Sequence, residues 1–183
     1  MNRNRPSEHR LSDNRSFRRP WYMMMFPRIL SAEAQRRLQA YLKKGGLVAY
    51  PTESCYGLGC VPTLPKALNQ LIHLKKRPQH KGMIVIGHSL EQLQPLLQRP
   101  SENIQTMLHE AWPAPKTFLL PAGKKVLPSL RGKRRSKLAV RVPAHAGARR
   151  LCQVLEMPLV STSCNRAGKR ACKTEREVRR QFG

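Results

Sequence analysis

The sequence predicts a single α/β domain whose mixed sheet is largely covered by helices. From residue 31 onward, apolar runs of strand length alternate with segments whose apolar residues recur at helical spacing. The chain has 183 residues, of which 40% are hydrophobic, and this is enough to bury one core. No apolar run approaches the roughly 18 residues that a transmembrane helix needs. We therefore expect a domain over residues 31–183 that does not span a membrane.

Each predicted element has a signal at its boundary. Ser31 caps the first helix, and Gly45-Gly46 ends it. The second helix begins at Thr63, the next two at Ser89 and Ser101, another carries Ala148 and Leu151, and a capping box of Thr174 with Glu177 begins the last. The predicted strands are residues 47–50, 83–87, 117–120, 138–142 and 159–162. Pro51 opens a segment with two glycines, which we predict as a loop.

Residues 1–30 differ in character from the rest. They contain seven Arg, two acidic residues and three prolines, with little periodic pattern. We expect a basic, disordered N-terminal extension. Translation from Met23, Met24 or Met25 is the alternative, whereas a transit peptide is only weakly indicated because Glu8 and Asp13 lie in the segment.

The charge balance points to a polyanionic partner or substrate. Lys and Arg number 35 against 10 Asp and Glu, which gives a formal net charge of +25. Nucleotide, RNA and anionic lipid all fit this charge. Asp13 is the only Asp, so paired-carboxylate hydrolysis and two-metal sites would have to be built from Glu. Any divalent metal is expected to arrive with a phosphate ligand.

The five cysteines predict neither a disulfide framework nor a zinc module. Their number is odd and no C-x-x-C pair occurs. We expect a cytoplasmic, reducing location.

Three segments place polar groups on turns beside predicted strands, where α/β sheets gather ligands. Residues 51–59 can present backbone amides to a phosphate, although a plain glycine turn is the simpler reading. Residues 75–82 carry cations held by Pro78, which could clamp a triphosphate or only complement the helix dipole. Residues 161–168 offer hydroxyls and an amide, or form a solvated turn. Ser163 is disfavoured as a nucleophile because no G-x-S-x-G elbow surrounds it.

Five motifs in register resemble the YrdC/TsaC family of threonylcarbamoyl-AMP synthases over about residues 31–183. They are P-T-E-S-C-Y-G-L-G at 51–59, L-K-K-R-P-Q-H-K-G-M at 74–83, W-P-A-P-K-T at 112–117, L-A-V-R-V-P-A-H at 138–145 and P-L-V-S-T-S-C-N at 158–165. The chain departs from the family pattern at Ala114, Lys116 and Cys164. Family members usually continue past the position of Gly183 with a segment that closes over the substrates, so we expect a chain truncated at its C-terminal end.

The resemblance implies a twisted α/β sheet with a concave, basic face and a specific reaction. The family uses ATP, bicarbonate and L-threonine to make L-threonylcarbamoyl-AMP and pyrophosphate. A downstream carbamoyl-transferase complex then modifies adenosine 37 of tRNAs that read codons beginning with A. We expect Mg²⁺ to accompany ATP, with no organic cofactor and no metal site on the protein.

The resemblance also implies residue roles, carried over by motif. The catalytic positions are a K-x-R pair, Lys75 and Arg77, and an S-x-N pair, Ser163 and Asn165. Thr52 and Arg141 match threonine-site positions, with Arg141 facing the substrate carboxylate. The nucleotide-contacting positions are Arg77, Lys81, Ser161 and Ser163.

A non-catalytic basic RNA-binding protein using the same concave surface is the alternative function. The charge of +25 favours it. Aromatic residues make up only 5% of the chain and no G-x-x-G clamp occurs, which disfavours single-strand stacking platforms. Either function makes tRNA or another RNA an expected partner.

Overall fold

A computed structural model of the chain describes residues 21–23, 31–78 and 80–182. Within these ranges the chain forms a seven-stranded sheet and seven α-helices. The strands are β1 Trp21–Met23, β2 Leu47–Pro51, β3 Tyr56–Gly59, β4 Ile84–Ile86, β5 Phe118–Pro121, β6 Lys137–Arg141 and β7 Leu159–Ser163. The helices are α1 Ala32–Lys43, α2 Pro65–Lys75, α3 Leu90–Leu93, α4 Glu102–Ala111, α5 Pro128–Arg131, α6 Ala146–Val154 and α7 Glu175–Phe182.

The sheet is mixed, as the sequence predicts. Its strand order is β1-β2-β3-β7-β4-β6-β5. The pairs β1–β2 and β4–β6 are parallel, and the other four pairs are antiparallel. The α/β fold class is therefore confirmed.

Helices cover both faces of the sheet, and β2 shows the division. Leu47 and Ala49 join a core cluster with residues of α2, α3, α4 and α7. Val48 and Tyr50, which alternate with them along the strand, join a second cluster with α1 and α6. Each face of β2 is thus buried against a different helix layer.

The second face is left open over part of β4, β5 and β6. Ile84 and Ala139 are only partly buried there, and Leu119 is 62% exposed. All three line a cavity, whereas their neighbours Val85, Leu120 and Val140 are buried in the first core cluster. This open area of the sheet is where ligands can reach the strands.

Local capping signals locate most helix starts. The Ser31 Oγ accepts a hydrogen bond of 3.2 Å from the Ala34 N–H. The Thr174 Oγ1 accepts from the Glu177 N–H at 3.2 Å, and the Glu177 carboxylate accepts from the Thr174 N–H at the same distance, which completes the predicted capping box. The prediction for α2 is wrong by two residues, because the helix begins at Pro65, where proline suits the first turn.

The prediction of a loop after Pro51 is wrong for residues 56–59, which form the interior strand β3. Glycine is depleted in strands, so the two glycines in this segment predicted a turn instead of a strand. The glycines are needed because the strand lies in close contact with its neighbours. A Cβ on Gly59 would lie 2.7 Å from the Val160 carbonyl oxygen and 2.9 Å from the Tyr50 ring.

Gly59→Ala is expected to destabilise the fold by about 1–3 kcal/mol, because the added methyl must displace a strand backbone. Gly57→Ala serves as the comparison. Its Cβ would meet only side-chain atoms, at 3.2 Å or more, so the loss of unfolding free energy should be smaller. Urea unfolding of both variants measures the difference. Equal stability of Gly59→Ala and the wild type would show that the contact relaxes freely.

Part of the predicted N-terminal extension belongs to the sheet. Trp21–Met23 pairs in parallel with Leu47, Val48 and Ala49, so the prediction of a disordered segment fails at β1. The rest of residues 1–30 lies outside the described part of the chain. Among the described helices, none is long and apolar enough to cross a membrane.

Candidate functional site

Four segments meet around a cavity of about 330 Å³ on the open side of the sheet. They are the turn after β2, the segment after α2, the end of β6 and the end of β7. Five of the eight sequence-predicted site residues line it: Thr52, Arg77, Arg141, Ser161 and Ser163. We call this the substrate cavity. Among the described residues that line it there is no carboxylate.

Arg77 is held in place by the end of α2. Lys76 ends the helix in the left-handed conformation, with φ of 50°, and the Arg77 N–H donates to the Ile72 carbonyl at 3.0 Å. One terminal nitrogen of the Arg77 guanidinium donates to the Gly82 carbonyl at 2.8 Å, whereas Nε is buried without a hydrogen-bond partner. Burial lowers the Arg77 pKa, but an arginine stays charged at physiological pH. The cavity therefore has a fixed cation in its wall.

Arg141 is the last residue of β6 and lines the substrate cavity. Its Nε donates to the Thr117 Oγ1 at 2.9 Å. Thr117 thus orients the guanidinium, and it closes the W-P-A-P-K-T motif, although the sequence analysis gave it no role. A guanidinium held by one edge is suited to bind a carboxylate with the other.

The turn after β2 is closed by Thr52. Its N–H and its hydroxyl both donate to the Cys55 carbonyl, at 3.0 and 2.6 Å. The neighbouring Glu53 carboxylate accepts a hydrogen bond of 3.1 Å from the His145 N–H, which connects this turn to the start of α6. Burial acts to raise the Glu53 pKa, but backbone N–H donors and the charge of Arg141 outweigh it, so the pKa lies below its usual value. Glu53 is a positioning residue that the sequence analysis missed, although it lies within the first motif.

Lys75 lies behind the cavity wall rather than in it. Lys75 is a buried residue, with only 3% of its surface exposed. Its Nζ donates to three oxygens: the Ser163 carbonyl, the Asn165 carbonyl at 2.7 Å and the Asn165 Oδ1 at 3.0 Å. An ammonium group has three N–H donors, so this set uses all of them. Lys75 therefore holds the turn that follows β7.

Asn165 and Lys81 also lie outside the lining of the cavity. The Asn165 Oδ1 accepts from the Ser163 hydroxyl at 2.7 Å, and its Nδ2 donates to the Lys169 carbonyl at 2.6 Å. Its amide is thus engaged in holding Ser163 and the turn. Lys81 is exposed on the segment between α2 and β4.

The cysteine nearest the S-x-N pair is a packed thiol. Cys164 is fully buried, and burial raises the pKa of its thiol. A fully buried thiol with a raised pKa is a packed core residue and not a reactive one. Within the described residues, no group of three His, Cys, Asp or Glu could hold a metal ion.

Comparison with known proteins decides the family. The Sua5/YciO/YrdC family model, described as "Telomere recombination", matches residues 40–183. The chain belongs to this family. A threonylcarbamoyl-AMP synthase of Neisseria gonorrhoeae is 82% identical over 160 residues, which are 87% of this chain and 85% of that protein. A protein of the same name from Chromobacterium violaceum is 47% identical over 156 residues, or 85% of this chain and 80% of that one.

Solved structures agree with this assignment. P. abyssi Sua5 complexed with L-threonine matches with a TM-score of 0.75 and 29% identity, over 88% of this chain and 46% of that chain. E. coli YciO matches with a TM-score of 0.69 at 24% identity, over 86% of this chain and 75% of that one, and supports the fold alone. The resemblance read from five motifs is confirmed. This Sua5/YciO/YrdC chain is an enzyme of the nucleotidyltransferase type.

Proposed function

We propose that the chain makes L-threonylcarbamoyl-AMP from L-threonine, bicarbonate and ATP, with release of pyrophosphate. The observation that carries the proposal is the substrate cavity, where two guanidiniums and six hydroxyl side chains meet with no carboxylate among them. The synthases of Neisseria gonorrhoeae and Chromobacterium violaceum support the same reaction through their names and high identity. A structure of P. abyssi Sua5 with L-threonine supports threonine as a substrate.

The chemistry needs cations more than it needs a nucleophile. The threonine amine attacks the carbon of bicarbonate and forms a C–N bond. Loss of water then gives a carbamate. A carbamate oxygen then attacks the α-phosphorus of ATP, and the bond to the pyrophosphate oxygen breaks. Three anionic groups converge, so electrostatic repulsion is the main obstacle and fixed donors lower it.

The two arginines of the substrate cavity bind different anionic groups of the substrates. Arg141, oriented by Thr117, binds the threonine carboxylate, and Arg77 binds the phosphates of ATP. Ser161 donates a hydrogen bond to a phosphate oxygen without adding negative charge. Ser163 does the same once its hydroxyl turns from the Asn165 Oδ1 to the ligand.

Mg²⁺ enters as part of the Mg-ATP substrate. The cavity lining offers hydroxyls and backbone atoms but no carboxylate within the described residues, so phosphate oxygens and water supply its ligands. The product is then passed to a carbamoyl-transferase complex that modifies tRNA.

The reaction is tested by following pyrophosphate release and the transfer of labelled threonine into the adenylate. Release that requires threonine and bicarbonate together supports the proposal. Release with ATP alone, or no adenylate with all three substrates, overturns it. Binding of RNA without any adenylate would favour the second candidate, a non-catalytic RNA-binding protein, for which the charge of +25 is the argument.

Arg141→Lys is expected to raise the threonine KM by about tenfold or more, because lysine cannot make the two-pronged contact with a carboxylate. The ATP KM should change little. The matched control is Arg149→Lys on α6, a cation that caps the carbonyls of Pro143 and Ala144 instead of lining the cavity. An unchanged threonine KM in Arg141→Lys would remove Arg141 from the threonine site.

A further inference from the structure

Helix α4 is held to the rest of the fold along one narrow edge. Leu108 is the only buried residue of this helix, and it joins the first core cluster. Ile104 and Met107 are 40% and 42% exposed. Residues three apart on a helix lie side by side, so these two form one apolar strip. Among the described residues, Leu119 on β5 is the other large apolar side chain that is exposed. Helix α4 therefore presents an unpartnered apolar strip to solvent.

The surface around this strip is the acidic part of a strongly basic chain. Residues 84–115 contain three Glu, one Arg and no Lys or Asp, whereas the whole chain carries a formal charge of +25. Glu91 Oε1 on α3 lies 3.5 Å from His109 Nε2 on α4, so the two helices form one continuous surface. Glu102 and Glu110 are exposed on α4. We call the surface made by the three glutamates and the apolar strip the acidic face.

The negative charge of the acidic face is not neutralised by cations of the chain. Within the part of the chain that the structure describes, neither Glu102 nor Glu110 forms an ion pair. Glutamates elsewhere have arginine partners: Glu33 pairs with Arg37, Glu175 with Arg179 and Glu177 with Arg170. The carboxylates of the acidic face are therefore available to cations from outside the chain.

The acidic face also lies away from the substrate cavity. Leu90 and Leu93 of α3 and Leu108 of α4 belong to the first core cluster, which covers one face of the sheet. The substrate cavity is on the open side, which belongs to the other face. A partner bound at the acidic face would therefore leave the substrate cavity open.

We infer that the acidic face docks a protein partner whose surface carries Lys and Arg side chains around an apolar residue. Charges are screened beyond about 8 Å at physiological ionic strength, so such a partner responds to the nearby glutamates more than to distant cations. The basic surfaces of the chain repel the same partner, and this repulsion determines its docking orientation. The inference goes beyond adenylate synthesis and does not rest on it.

A second copy of this chain fits the acidic face less well. Packing α4 against α4 of another copy would bring the glutamates of both helices together, and like charges in an interface oppose association. Charge complementarity therefore favours the basic partner over a symmetric dimer.

The test uses a synthetic amphipathic helical peptide of leucine and lysine as the probe, titrated calorimetrically into the full-length protein. The apolar variant Ile104→Gln/Met107→Gln and the charge variant Glu102→Gln/Glu110→Gln should each bind the peptide about fivefold or more weakly than the wild type. Added salt should weaken binding to the wild type more than binding to the charge variant, because screening acts on the attraction that the charge variant has lost.

Two controls separate the acidic face from general charge effects. Glu33→Gln/Glu156→Gln removes two exposed carboxylates from other surfaces and should bind the peptide within about twofold of the wild type. A peptide with glutamate in place of lysine is attracted to the basic surfaces instead, so the apolar and charge variants should bind it as the wild type does. Equal weakening of lysine-peptide binding in the control and in the charge variant, or unchanged binding in both acidic-face variants, would overturn the inference.

A further readout does not depend on the variants folding. A benzophenone group on the lysine peptide should crosslink the wild-type protein within residues 91–110, and crosslinks confined to other surfaces would contradict the inference. Light scattering of the chain alone tests the second copy. A concentration-dependent dimer that Ile104→Gln/Met107→Gln abolishes would assign the acidic face to self-association and overturn the assignment to a basic partner.

Discussion

Arg77→Ala is expected to slow threonine-dependent pyrophosphate release by about a hundredfold, with most of the loss in kcat. The guanidinium is fixed at the end of α2 and by its bond to the Gly82 carbonyl, so it meets the phosphates without reorganising. Its Nε has no partner in the protein, so removing the side chain leaves only the Gly82 carbonyl without a donor. Gly82 lines the cavity, where water can replace the lost hydrogen bond. The loss should therefore appear in the reaction rather than in stability.

Steady-state kinetics with varied ATP and threonine measure the effect. Lys66→Ala removes an exposed cation from α2, the helix that precedes Arg77, and is the matched control for lost charge. Its rate should stay within about twofold of the wild type. A rate for Arg77→Ala within threefold of the wild type, in protein of normal stability, would exclude Arg77 from phosphate binding.

The parts of the fold that could be predicted from sequence are those with local causes. Ser31 and the Thr174–Glu177 pair act on backbone groups within one turn of helix, so their neighbours in sequence reveal them. Strand β3, in contrast, is determined by contacts with residues that are distant in sequence. Its glycines are read as a turn until the Val160 carbonyl and the Tyr50 ring are seen to occupy the space that side chains would take.

The same distinction applies to the substrate cavity. Motifs located Thr52, Arg77, Arg141, Ser161 and Ser163, and the fold brings these five together although they span more than a hundred positions. The sequence does not distinguish a residue that faces the ligand from a residue that positions it by a hydrogen bond. Thr117 and Glu53 act through hydrogen bonds to atoms 24 and 92 positions away, and no spacing rule contains those pairs.

Lys75→Met is expected to lower the free energy of unfolding by about 2–4 kcal/mol and to reduce the rate of adenylate synthesis. Met is unbranched and only one atom shorter than Lys, but the substitution leaves the Ser163 and Asn165 carbonyls without the donor that they share. An unsatisfied buried acceptor costs about 1–3 kcal/mol. Urea unfolding measures the loss, and Lys76→Met, which removes an exposed cation next in sequence, is the control.

The difference in free energy of unfolding between the wild type and Lys75→Met should depend on pH, and this dependence tests whether Lys75 releases its proton in the folded protein. Burial and the neighbouring charge of Arg77 lower the Lys75 pKa to about 8 from its ordinary 10.5. Between these two values the unfolded chain binds a proton that the folded protein has released, so this group makes the free energy of unfolding rise with pH. Lys75→Met lacks the group, and other titrating residues cancel in the comparison. The stability gap between wild type and variant should therefore widen in favour of the wild type as pH rises from about 8 to 10. A gap that stays constant or narrows over this range would mean that Lys75 keeps its proton, held by the three oxygens around it.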